Sequence, residues 1–296
     1  MKSTIGSGTS NREDQRREAL PKWRKWHRMP RIGPQVFGGG MPVNYVDTAV
    51  AKEASGIRVS FVSNVPSPWG EAVKAILHVK GLDYLAFRLD TQDTEQIAWT
   101  GHESAPVLLN DDDAALSGWV DILLFAEQKA PTPPLLPSDP EQRAFALGLS
   151  HELIGAQGLA WARRAQQIHG GLTGGSGFSP GVSAYLAAKY GYTPQIGAAA
   201  EGRVVALLTM LSNRLKHQAE LGHAYLLGSA MTCVDIYAAT TCALFAPLPE
   251  ADCAMRASTR AIFEDVSPAI ATALDPVLLA HRDRMYRDHL ELPLAL

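Results

Sequence analysis

The stretch Val59-Ser60-Phe61-Val62-Ser63-Asn64-Val65-Pro66-Ser67-Pro68-Trp69-Gly70-Glu71-Ala72-Val73-Lys74-Ala75-Ile76-Leu77-His78-Val79-Lys80-Gly81 decides the fold, because its apolar period changes halfway along. Val59 and Phe61 alternate with Ser60, and Val62 with Ser63, in the two-residue rhythm of a strand. Pro66 interrupts that rhythm. Ser67 then stands as an N-cap and Pro68 as the first helical residue, where its missing N–H costs nothing. Trp69, Val73, Ile76 and Leu77 recur at helical spacing, and Gly81 can close the helix in the left-handed conformation. The Ser67 hydroxyl therefore sits at a helix N-terminus, where free amides favour negative charge. Read alone, it is a plain cap worth about 1 kcal/mol.

Working outward, the signals from Gly56 to Gln128 alternate between strand and helix. Tyr84 to Leu89 has Leu85, Phe87 and Leu89 on one face; Thr91 to Trp99 is polar and short; Ala105-Pro106-Val107-Leu108-Leu109 is an apolar strand entered through a proline. Asn110 to Asp113 reads as a solvated hairpin tip, since it lacks the glycine and distal glutamate of a calcium loop. Trp119, Ile122, Leu123 and Ala126 describe a helix capped near Ser117. The order is that of a small α/β unit spanning 56–129. Five prolines in the eleven residues 130–140 form a semi-rigid linker, and 141–296 is read as all helical. Apolar spacing there predicts helices over 141–168, 196–221, 232–245 and 268–290. Six glycines in residues 169–181 predict a surface or lid loop. A phosphate cradle is not supported, because no Gly-Lys-Ser/Thr follows and no strand precedes it. Residues 1–55 read as a mobile extension; nine Lys/Arg against three Asp/Glu fall within 1–31.

Composition narrows the function classes. A net charge of -3 gives no bulk attraction to nucleic acid or an anionic membrane. No apolar run approaches the roughly 18 residues that span a bilayer. Three cysteines, none in a CxxC pair, indicate neither a disulfide framework nor a zinc site and suit a reducing cytoplasm. His151-Glu152 begins no HExxH pattern, and no metal site is expected.

Four features together resemble the cytosolic glutathione S-transferase superfamily over about residues 57–290: Ser67-Pro68-Trp69 after the first strand, Ala105-Pro106-Val107-Leu108, the proline-rich linker, and Gly228-Ser229-Ala230-Met231-Thr232-Cys233-Val234-Asp235 as a helix capping box. The resemblance is to a divergent Ser- or Cys-type member. It implies an α/β thioredoxin-like N-terminal domain followed by an all-α C-terminal domain, and glutathione as co-substrate. Ser67 would then donate a hydrogen bond to the glutathione thiolate, lowering its pKa without being the nucleophile itself. Ser63 is the nearest competing hydroxyl. Pro106 would be cis, turning the Ala105 backbone outward to pair with the extended peptide. Trp69, His102, Ala105, Pro106 and Ser117 are the expected glutathione contacts, and Trp161 and Arg164 the expected substrate pocket.

The resemblance further implies conjugation to a small hydrophobic electrophile and a homodimer. One departure stands out: Gly118-Trp119 occupies the place of the Glu/Gln-Ser pair that holds the γ-glutamyl group in the family. A non-catalytic binding or scaffold protein of this fold, and a glutathione-dependent lyase or isomerase, are the alternative readings.

Overall fold

The computed structural model describes residues 43–296, so the basic segment 1–31 lies outside the described residues. Four strands form one mixed sheet: β1 (Asn44–Tyr45), β2 (Ile57–Phe61), β3 (Leu85–Arg88) and β4 (Val107–Asn110), in the order β1-β3-β2-β4. β3 runs parallel to both β1 and β2, and β4 is antiparallel to β2, with Val59 opposite Ala86 on one side and Leu108 on the other. A parallel pair requires a crossover, and α2 (Pro68–Lys80) supplies it between β2 and β3. The other helices of this part are α1 (Thr48–Glu53), α3 (Thr94–Thr100) and α4 (Trp119–Lys129).

The remainder is helical: α5 (Pro140–Ile154), α6 (Leu159–Thr173), α7 (Pro180–Lys189), α8 (Pro194–Glu220), α9 (Cys233–Thr241), α10 (Ala257–Glu264), α11 (Pro268–Ala273) and α12 (Pro276–His289). α2 joins the two halves, which is why its sequence is apolar on more than one side. Val73 and Leu77 pack on the sheet with Val59, Phe61 and Ala86. Ala72, Ile76 and Val79 enter the large core with Leu153, Leu208 and Tyr237 of the helical part. Gly81 ends α2 at φ 62°, donating to the carbonyls of His78 and Leu77.

The segment 130–139 is pinned rather than loose. Glu127 accepts from the buried Lys80 ammonium at 2.5 Å and from the Leu135 N–H at 2.8 Å. Leu135 and Leu136 are buried, and the Leu135 carbonyl accepts from Cys233 N–H.

Four expectations need correction. Residues 43–55 are not part of a free extension: β1 lengthens the sheet, and Ala51 of α1 is fully buried against Phe87 and Leu109. The return of the β4 hairpin is a single bridge, Leu108 with Leu116, instead of a strand. The helix expected over 141–168 breaks at Gly155–Gly158, where Gln157 turns left-handed (φ 61°) and Gly158 lies so close to the His151 and Glu152 carbonyls that a Cβ would stand 2.6 and 2.8 Å from them. The glycine-rich segment is no lid loop. Gly170 and Gly171 lie inside α6, where a Cβ would stand 1.7 Å from Ser176 O and 2.2 Å from Phe178 O respectively. These glycines exist for close backbone approach.

Candidate functional site

At the start of α2, Ser67 occupies the N-cap position with extended backbone (φ -67°, ψ 122°), but its hydroxyl makes no capping bond. Ser67 is 8% exposed, and its hydroxyl takes no partner among the described residues. The first helical hydrogen bond runs from Glu71 N–H to Ser67 O, so the Trp69 and Gly70 amides also take no acceptor there. A donor hydroxyl and two free helix-end amides thus share one spot, set up by the Ser-Pro sequence. Gly70 is needed beside it: a Cβ there would press on the Phe61 ring at 3.3 Å. Ser63 is exposed, next to Asn64 in the left-handed conformation (φ 61°).

The peptide between Ala105 and Pro106 is cis. Val107 N–H is held by Ser60 Oγ at 3.1 Å, whereas the N–H and C=O of Ala105 take no partner among the described residues. Ala105 is half-buried. Its free backbone pair is a short unmatched edge of the kind that accepts an extended peptide.

Between these points lies a narrow apolar cleft of about 20 Å³, lined by Trp69, Ile76, Pro106, Ser117, Trp119 and Tyr237 among others. Trp69 is half-buried and its indole N–H is already given to Ile154 O at 2.8 Å, so it offers the cleft only its ring. Trp119 meets Tyr237 edge-on at 5.7 Å and stacks on His151 at 6.4 Å. Ser117 is exposed at the cleft. His102 is engaged only through its backbone, with Thr100 Oγ1, and its ring does not line the cleft.

The Gly118-Trp119 departure has a physical counterpart. A side chain built on Gly118 would put its Cβ 2.3 Å from Oδ2 of Asp121, so the tip of the Asp121 side chain would have to move aside for a larger residue there.

Trp161 and Arg164 do not line the cleft. They connect to it through Tyr190, whose ring lies 4.7 Å from Trp161 and 6.1 Å from Trp69. Arg164 is buried, its guanidinium over the Phe178 and Phe263 rings at 5.0 and 5.7 Å and hydrogen-bonded to Gln167. Burial lowers its pKa, and Tyr190 opposes that shift. Burial also lowers the Lys189 pKa, with Arg164 adding to the shift and Glu103 resisting it. Tyr237 and Ile154 are cleft residues that sequence reading missed. Tyr237 sits two residues after the Asp235 capping acid in a run buried throughout, and only tertiary packing turns its ring toward Trp119.

The chain's own thiols are poor nucleophiles. Burial pushes Cys233 up to about 12 and Cys242 and Cys253 up to about 11. Among the described residues no group of His, Cys, Asp and Glu is placed to hold a metal ion, and no helix is long and apolar enough to cross a membrane.

No known family profile and no curated protein matches the chain. Solved structures do. A glutathione S-transferase domain-containing protein of Marinobacter aquaeolei VT8 superposes with a TM-score of 0.56 at 19% identity, over 79% of this chain and 100% of that one. A glutathione S-transferase of Xanthobacter autotrophicus Py2 gives 0.48 at 19% identity, over 77% and 92%. A glutathione transferase family member of Pseudomonas fluorescens Pf-5, with two glutathione bound, gives 0.47 at 18% identity, over 77% and 92%. With its thioredoxin-like sheet, the cis proline before β4 and the helical second half all in place, the chain has the fold of the glutathione S-transferases.

Proposed function

We propose that the protein is a glutathione-dependent transferase. The observation that carries this reading is the unengaged donor set at the start of α2, with the Ser67 hydroxyl and the Trp69 and Gly70 amides, in the same half of the molecule as the unpaired Ala105 backbone. Glutathione would lie extended along Ala105, flanked by Ser117 and His102, with its sulfur toward Ser67. Donors aimed at sulfur favour the thiolate over the thiol, which raises the nucleophile's population at neutral pH. The thiolate attacks an electrophilic carbon: the S–C bond forms as the bond to the leaving group breaks, and the leaving group departs with the electron pair. No residue of the chain is consumed. The aromatic surface around the cleft suits a small hydrophobic electrophile, with Trp161 reaching the cleft residue Trp69 through Tyr190 and Arg164 acting behind that tyrosine. The transferase is proposed as a homodimer, and three buried thiols outside any disulfide suit a cytoplasmic location.

The test is conjugation of glutathione to a chloronitrobenzene. Ser67→Ala is expected to lower kcat/KM by about tenfold or more, as loss of a donor to a developing or stable anion does. Unchanged turnover moves the donor role to Ser63. Sedimentation should give twice the chain mass.

A non-catalytic binding protein of the same fold is favoured by one observation, Gly118 with the tip of the Asp121 side chain beside it. That reading predicts glutathione binding without conjugation of any electrophile.

A further inference from the structure

A second cavity, larger than the cleft and sharing no residue with it, opens in the helical half between α6, the start of α8 and the turn after α10; its volume is about 490 Å³. We propose that it is a binding site for a small zwitterion of dipeptide size, with the ligand carboxylate toward Arg163 and its ammonium toward Glu201.

The wall of this cavity is polar and ordered by charge. Arg163 is only 2% exposed. Four of its five N–H groups go to the carbonyls of Leu244, Phe263 and Asp265 and to Gln166 Oε1 at 2.7 Å. None of these acceptors is a carboxylate, and one Nη1 hydrogen has no partner among the described residues. Burial, with the neighbouring Arg164 cation, draws the Arg163 pKa down to about 10, and Asp265 resists the shift. From Gln166 the row continues: its amide donates to Glu201 Oε2 at 3.3 Å, and Glu201 enters no ion pair among the described residues. Asp265, whose carboxyl lies near Arg163, adds a second acid on the same wall. A simple anion would meet two carboxylates there, and a simple cation would meet a buried guanidinium. A ligand bearing both charges answers each, and rejection of the singly charged analogues follows from the group each leaves unmatched.

The cavity is also preformed. Gly170, Gly177 and Gly197 line it, and a Cβ on any of them would stand within 2.5 Å of a neighbouring atom. His169, another wall residue, is fixed to Tyr192 OH at 2.8 Å. The glycine-rich sequence thus packs the wall closely, and a site already formed in the free protein keeps a small ligand's binding cost low.

Calorimetry on the full chain tests this with glycylglycine as the probe, N-acetylglycine as the anion-only control and glycinamide as the cation-only control. The expected result is saturable glycylglycine binding, about tenfold or more weaker for either control. Glu201→Gln, at a half-buried position whose one hydrogen bond an amide can keep, should weaken it about tenfold, and Ser117→Ala in the cleft should leave it unchanged. Absence of glycylglycine binding overturns the proposal. So does equal binding of a control, binding undiminished in Glu201→Gln, or binding lost in Ser117→Ala.

Discussion

Ser67 and Trp69 are two residues apart and divide the work at the start of α2. Ser67 keeps its hydroxyl unengaged, whereas Trp69 spends its indole N–H on Ile154 O and so ties α2 to the helical half. Trp69→Phe should therefore act on stability, costing about 1 kcal/mol in denaturant unfolding, while glutathione affinity changes little. A large loss of affinity at unchanged stability would instead assign the indole to the ligand. The three cysteines give a second outcome: with all of them buried and their pKa values raised, none should react with a thiol-specific disulfide reagent until the protein is unfolded. Ser67-Pro68 could be read from sequence because a cap and a first-turn proline are local signals. The cleft's other wall could not. Tyr237 and Ile154 reach Trp119 and Trp69 across more than 80 residues, and no local pattern reports that.

Two elements show how local chemistry sets structure in the helical half. The first is the α6–α7 hairpin. Composition alone made its glycines look flexible, but glycine also permits backbone contact, and only the packed structure separates the two. Gly170→Ala should lower the melting temperature by several degrees, because the added carbon meets the Ser176 carbonyl, which cannot swing away as a side-chain tip would. The second is the start of α9, where the sequence did foretell the device. Asp235 accepts from Thr232 N–H at 2.9 Å, Thr232 Oγ1 at 3.0 Å and Leu226 N–H at 2.8 Å. His281 stands 3.4 Å from the same carboxylate, and burial holds its pKa down to about 3. A base with a depressed folded pKa stabilises the fold above its unfolded value near 6.5, and that contribution is lost as pH falls toward 3. Burial raises Asp235 to about 6, which works in the opposite sense between about 4 and 6. His281→Gln should thus flatten the acid limb of the stability curve; an acid limb as steep as wild type would remove His281 from the account.

The whole molecule is organised by α2, which packs on the sheet with one side and on the helical half with another. Its outer strand was hidden from sequence reading, because two residues, Asn44 and Tyr45, carry no period. Their place is set by distant partners: Tyr45 lies beneath the Arg88 guanidinium at 3.3 Å, and its hydroxyl reaches Ala295 O at 3.1 Å. Lys74 of α2 donates to that same carbonyl at 2.6 Å. A chain beginning at residue 56 should melt several degrees below one beginning at residue 43 and aggregate more readily, since β3 becomes an open edge and Phe87 loses its cover. Equal melting would show that β1 and α1 add nothing to the fold. Calorimetric titration of glutathione into the full chain reads the proposed ligand itself. A saturable heat with a dissociation constant at or below about a millimolar, weakened in Ser67→Ala, is expected; no heat beyond dilution at about ten millimolar glutathione would overturn glutathione as the ligand.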